Sequence, residues 1–110
     1  MIDWQRVSDL REEIGAEDFG EIVPLFLDEV AGVTDSLRAG PDLSRLGEDL
    51  HFLKGSALNL GFVAFSALCD AGEKAAAAGQ SDAVNVTEIL DCFDASKAAF
   101  ETGLAQGQAA

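Results

Sequence analysis

The stretch 50-LHFLKGSALNLG-61 carries a helical period and, inside it, the only histidine of the chain. Leu43, Leu46, Leu50, Leu53, Ala57 and Leu60 recur at alternating spacings of three and four, the pattern of one apolar helical face. At about 100° per residue, His51 points well away from the centre of that stripe. Lys54 and Gly55 follow within about one turn, and Gly47 lies one turn back. The helix therefore presents a lone imidazole outward, with an ammonium beside it and no side chain at two neighbouring positions.

The two glycines oppose the local pattern, since each costs a helix interior about 1 kcal/mol relative to alanine. One reason for them is close packing against a neighbouring helix. Another is clearance, so that a partner can close over the imidazole. On pattern alone the two readings stand level, although local rule-breaking concentrates at functional sites.

His51, Leu53, Lys54, Gly55, Ser56, Ala57, Asn59, Leu60 and Gly61 together resemble the phosphorylation motif of the histidine-containing phosphotransfer (HPt) domain family. The resemblance extends to most of the chain, because that family is a helical bundle of similar length. Leu50 is a departure: the family often has alanine before the histidine, so the approach to the ring is bulkier here. The resemblance implies that His51 accepts a phosphoryl group from a receiver-domain aspartate and passes it to another. It implies response-regulator receiver domains as partners, with a hybrid histidine kinase as a further one. Mg²⁺ and its carboxylate cluster would belong to the receiver, leaving this chain without a cofactor of its own.

Working outward, Asp3 is placed to cap a short first helix, with Trp4, Val7, Leu10 and Ile14 as its inner face and Gly15 as its end. A second helix is predicted from Ala16 or Glu17 to Arg38, with Phe19, Ile22, Phe26, Val30, Val33 and Leu37 as its core stripe. Pro24 predicts a kink or a late start there. Val23 and Leu27 lie beside the stripe, either as core contacts with the first helix or as an exposed docking strip. Ala39-Gly40-Pro41-Asp42 reads as a turn, with Asp42 capping the third helix. Gly61 suits the left-handed position that ends that helix. A fourth helix is expected from Phe62–Ala64 to Gly79, with Phe65, Leu68, Cys69, Gly72 and Ala76 inward. The last helix is expected to open at Ser81 or Asp82, with Val86, Ile89, Leu90, Phe93, Phe100 and Leu104 inward and a frayed tail after about residue 105. These patterns predict an all-α fold: an up-and-down antiparallel four-helix bundle with an extra short N-terminal helix, one domain over residues 1–110.

Composition narrows the function. With 48% hydrophobic and 25% charged residues the chain is expected to fold, and its 110 residues suit a single core. A net charge of −13 argues against nucleic acid and anionic membranes as partners. No apolar run approaches the roughly 20 residues of a membrane span, and MIDWQRVSDL lacks the layout of a signal peptide; a cytoplasmic monomer is expected. Cys69 and Cys92 are too few for a metal motif. His-Glu-x-x-His, a glycine-rich phosphate loop and Gly-x-Ser-x-Gly are all absent. Without an ATP site the chain is expected to carry phosphoryl groups and not to act as an enzyme. The contrasting reading is a non-catalytic helical module that docks on receivers or kinases and inhibits them; the intact His51 and Lys54 favour the carrier.

A nucleophilic Nε2 needs the ring proton on Nδ1, and that proton needs an acceptor. With Gly61 as pivot, Glu73 on the antiparallel fourth helix comes level with His51. The resembled family has Glu or Gln at this offset, 22 residues after the histidine. Glu73 is therefore expected to orient His51 and to steady Lys54, whose role is charge stabilisation. Partner contact is expected at Gly47, Gly55 and Leu58, with Val23 and Leu27 as weaker candidates.

Overall fold

The Asp3 side chain accepts a bond from Arg6 N at 3.1 Å and starts the first helix, α1, Trp4–Ile14. The computed structural model describes residues 1–108. Gly15, at φ 88°, breaks α1, and α2 follows at once as Ala16–Ala39. Pro24 stands exposed inside α2 and removes one backbone bond without delaying or dividing the helix.

The buried line of α2 is Phe19, Val23, Leu27, Val30, Thr34 and Leu37, rotated from the predicted stripe. Ile22, Phe26 and Val33 are only half-buried. Val23 and Leu27 are 5% and 8% exposed, so they belong to the core and are closed to a docking partner. Thr34 is polar and falls outside an apolar pattern; its hydroxyl donates to the Ala31 carbonyl at 3.1 Å.

The third helix, α3, is Leu46–Leu60, and Asp42 does not cap it. Asp42 instead folds the turn before it, accepting from Ser44 N at 3.0 Å and Ser44 Oγ at 2.6 Å. Leu43, expected on the core stripe, is consequently 46% exposed in that turn. Leu46, Leu50, Leu53, Ala57 and Leu60 do form the buried face. Gly61 adopts the left-handed conformation at φ 75°, and Phe62 N returns to the Ala57 carbonyl at 2.8 Å, closing α3.

The fourth helix, α4, is Val63–Ala77, ending two residues before Gly79. A single 3-10 turn at Ser81–Ala83 follows, and α5 is Val86–Ala105. Asn85, not Ser81 or Asp82, caps α5, accepting from Glu88 N at 3.0 Å. Residues Gln106–Gln108 close that helix in a turn, with Gln108 N on the Gly103 carbonyl at 2.9 Å. Ala109 and Ala110 lie outside the described residues.

Helices α2 to α5 form the bundle, and α1 packs on α2 and α3. Trp4 stacks on Phe100 with ring centroids 5.8 Å apart, and Phe100 meets Phe62 edge-on at 5.3 Å. These rings seal the end of the bundle nearest the α3–α4 turn, where α1 acts as the lid. Asp3 N bonds the Gly61 carbonyl at 2.7 Å and Val63 N bonds the Met1 carbonyl at 3.1 Å, pinning the N-terminus to that turn. The α3–α4 seam is the closest in the bundle. An added Cβ at Gly72 would lie 2.7 Å from Leu50 Cδ1, and Leu50 is fully buried. Gly72 thus sets how near α4 comes to α3. Its neighbour in sequence is Glu73.

Candidate functional site

His51 sits on the exposed side of α3 with its side chain 71% exposed. Across the seam, Glu73 Oε2 lies 2.7 Å from His51 Nδ1. The other oxygen of the same carboxylate, Oε1, lies 2.6 Å from Lys54 Nζ. One residue of α4 therefore holds two residues of α3 that are one turn apart. An ionised carboxylate only accepts hydrogen bonds, so this contact puts the neutral ring's proton on Nδ1. The lone pair is then on Nε2, on the opposite edge of the ring.

Electrostatics keep the cluster charged. Lys54 holds the Glu73 carboxyl below the ordinary glutamate value, with His51 adding to the effect. In return, Glu73, with Asp70 behind it, raises the Lys54 ammonium above the ordinary lysine value. Asp70 Oδ1 lies 3.5 Å from Lys54 Nζ, and its Oδ2 lies 2.9 Å from Lys74 Nζ. Lys74 chiefly, then Lys54, lowers the Asp70 carboxyl. Asp70 and its pairing with Lys74 went unseen in the sequence. An acid and a lysine at i and i+4 gave a usable signal.

The two glycines of α3 separate. A Cβ at Gly47 would meet the Ala76 Cβ at 3.4 Å, an ordinary contact, so its bare face is turned to α4 and to the groove beside His51. A Cβ at Gly55 would meet nothing within 4 Å. Gly55 is exposed, and Leu58 beyond it is 58% exposed, so His51, Gly55 and Leu58 make an open ridge. A groove of about 480 Å³ borders His51 on the Gly47 side, walled by Leu43, Glu48, Ala76 and Ala77. Another, of about 270 Å³, lies between Leu58 and Val63.

Ser56 is buried, well away from the imidazole edge, and Asn59 accepts from Arg6 Nη2 at 3.5 Å, tying α3 to α1. Burial first, then the neighbouring Cys92, pushes the Cys69 thiol up to about 12, so it packs as a hydrophobe. Cys92 is half-buried, with Sγ 3.9 Å from Ser96 Oγ. Neither thiol joins the His51 cluster. Among the described residues, no helix is long and apolar enough to cross a membrane.

A family model described as Hpt domain matches residues 5–99, a span that contains His51, Lys54, Asp70 and Glu73. No curated protein and no solved structure matches the chain.

Proposed function

The chain belongs to the Hpt domain family, histidine phosphotransfer carriers of phosphorelays, and from that premise we propose that His51 is its phosphoryl acceptor. The observation that carries the assignment is the 2.7 Å contact of Nδ1 with Glu73, which leaves Nε2 as the free nucleophile on an exposed ring. The donor is the acyl phosphate of a receiver aspartate. The Nε2 lone pair forms the N–P bond as the P–O bond to the aspartate breaks, and the carboxylate leaves with its electron pair. Positive charge that develops on the ring is met by Glu73 through the Nδ1 proton. Lys54, one turn away, faces the charge on the transferred oxygens; such transfer depends on positioning and electrostatics. The reverse sequence hands the group to a second receiver.

In this reading the receiver brings Mg²⁺, and the exchange takes place in the cytoplasm. The receiver covers the ridge of His51, Gly55 and Leu58. Gly55 gives it room, and Leu58 with Val63 supplies apolar contact. The test is to mix the protein with a receiver labelled at its phospho-aspartate and follow the label. The parent protein should gain acid-labile phosphate, and His51→Gln should fold and gain none. Equal labelling of His51→Gln would refute the assignment.

A further inference from the structure

Two carboxylates on α4 share one ammonium on α3, and Glu73 alone bonds the imidazole. Glu73 uses Oε1 for Lys54 and Oε2 for His51. Asp70, one turn earlier on α4, uses Oδ1 for Lys54 and Oδ2 for Lys74. Each of these four contacts thus has its own carboxylate oxygen, in a row from His51 through Glu73, Lys54 and Asp70 to Lys74.

A lysine has a flexible four-carbon stem. A single ion pair fixes one distance and leaves the ammonium free to swing about it. Two carboxylates at i and i+3 on the facing helix fix its bearing as well. Asp70 is itself partly exposed, and Lys74 on its second oxygen restrains it. We propose that Asp70, held by Lys74, is a positioning residue for Lys54, keeping the ammonium on the Glu73 carboxylate that bonds the imidazole and so within one turn of the ring that takes the phosphoryl group. This rests on the phosphocarrier reading of His51. Asp70 acts through Lys54 and is not a catalytic residue.

Asp70→Asn should be made in the parent and in a Lys54→Gln background. Transfer from a phosphorylated receiver is then measured in single turnovers over a range of receiver concentrations, separating the step within the complex from affinity. The expected result in the parent is transfer about three- to fivefold slower with unchanged affinity, the size of an exposed ion-pair effect. In Lys54→Gln the same change should do nothing. Nitrogen-15 spectra of the Lys54 ammonium should shift and lose order in Asp70→Asn. Equal slowing in both backgrounds, a change in affinity alone, or an unmoved Lys54 signal would overturn the proposal. The Lys54 spectrum needs no phosphoryl transfer. A parent protein that takes no label, with Lys54 still disturbed by Asp70→Asn, would sink the carrier reading and leave the tether standing.

Discussion

Glu73 Oε2 stands 2.7 Å from His51 Nδ1, across the seam that the bare Gly72 allows to close. The contact joins a residue of α4 to the tautomer of a ring on α3. Glu73 accepts the Nδ1 proton and meets the charge that develops on the ring, so Glu73→Ala should slow transfer by about 10-fold or more. Glu73→Gln keeps an acceptor oxygen for Nδ1 and loses only the charge, so its defect should be smaller. Long-range nitrogen-15 spectra of His51 should show the Nδ1-protonated tautomer in the parent and a mixture in Glu73→Ala. A parent-like tautomer and rate in Glu73→Ala would remove Glu73 from the mechanism.

The same carboxylate sets a pH window. The Glu73 carboxyl is held below 4.5, chiefly by Lys54. The stability from its pairing is therefore full above the ordinary carboxyl range and is lost as pH falls through the depressed value. Lys54 is raised above 10.5, so its contribution is full below that value and is lost as pH rises through the raised one. The clasp should accordingly hold across the whole neutral range. Carbon-13 titration of the Glu73 carboxyl checks this. Its midpoint should lie below 4.5 in the parent and move up in Lys54→Gln. A midpoint that stays put in Lys54→Gln would mean another group causes the depression.

Two glycine substitutions should part in sign. Gly55→Ala meets open space, so it should stabilise the protein by up to about 1 kcal/mol through helix propensity. Gly72→Ala drives a Cβ against the fully buried Leu50, an overpacking that outweighs the same propensity gain. A net loss of about 1 kcal/mol is expected, with a weakened His51–Glu73 contact. Denaturant unfolding gives both stabilities. A stabilised Gly72→Ala would show that the seam has slack.

The sequence could be read where one residue decides the backbone locally. Asp3 as a cap, Gly61 as a left-handed stop and the leucine period of α3 are of that kind. The level of Glu73 with His51 followed because a tight turn and antiparallel helices leave little freedom in register. Boundaries that depend on competition between neighbours were misplaced. Asp42 bonds Ser44 in a turn and does not cap α3, and Asn85 wins over Ser81 and Asp82 because a 3-10 turn comes between. On α2, Thr34 is polar yet buried, so the apolar residues alone mark a face rotated from the buried one. The N-terminal bonds to Gly61 and Val63 involve backbone atoms alone, which leave no trace in side-chain pattern.

Burial divides the docking candidates, and the division can be tested. Leu58 and Val63 are 58% and 54% exposed and wall one groove beyond His51 and Gly55 on the α3 ridge. Leu27 is 8% exposed and points into the core. Leu58→Ala removes apolar contact from a partner and touches no core, so stability should stay within about 0.5 kcal/mol of the parent. A contact at the centre of an interface costs more than about 1 kcal/mol on truncation, so receiver affinity should fall about fivefold or more. Val63→Ala should act in the same direction. Leu27→Ala should do the reverse, losing about 2–5 kcal/mol of stability while the folded fraction binds the receiver as the parent does. Titration calorimetry with a receiver, beside denaturant unfolding of each variant, reads both quantities. Parent-like affinity in Leu58→Ala, or weakened binding by fully folded Leu27→Ala, would move the docking surface off the α3 ridge.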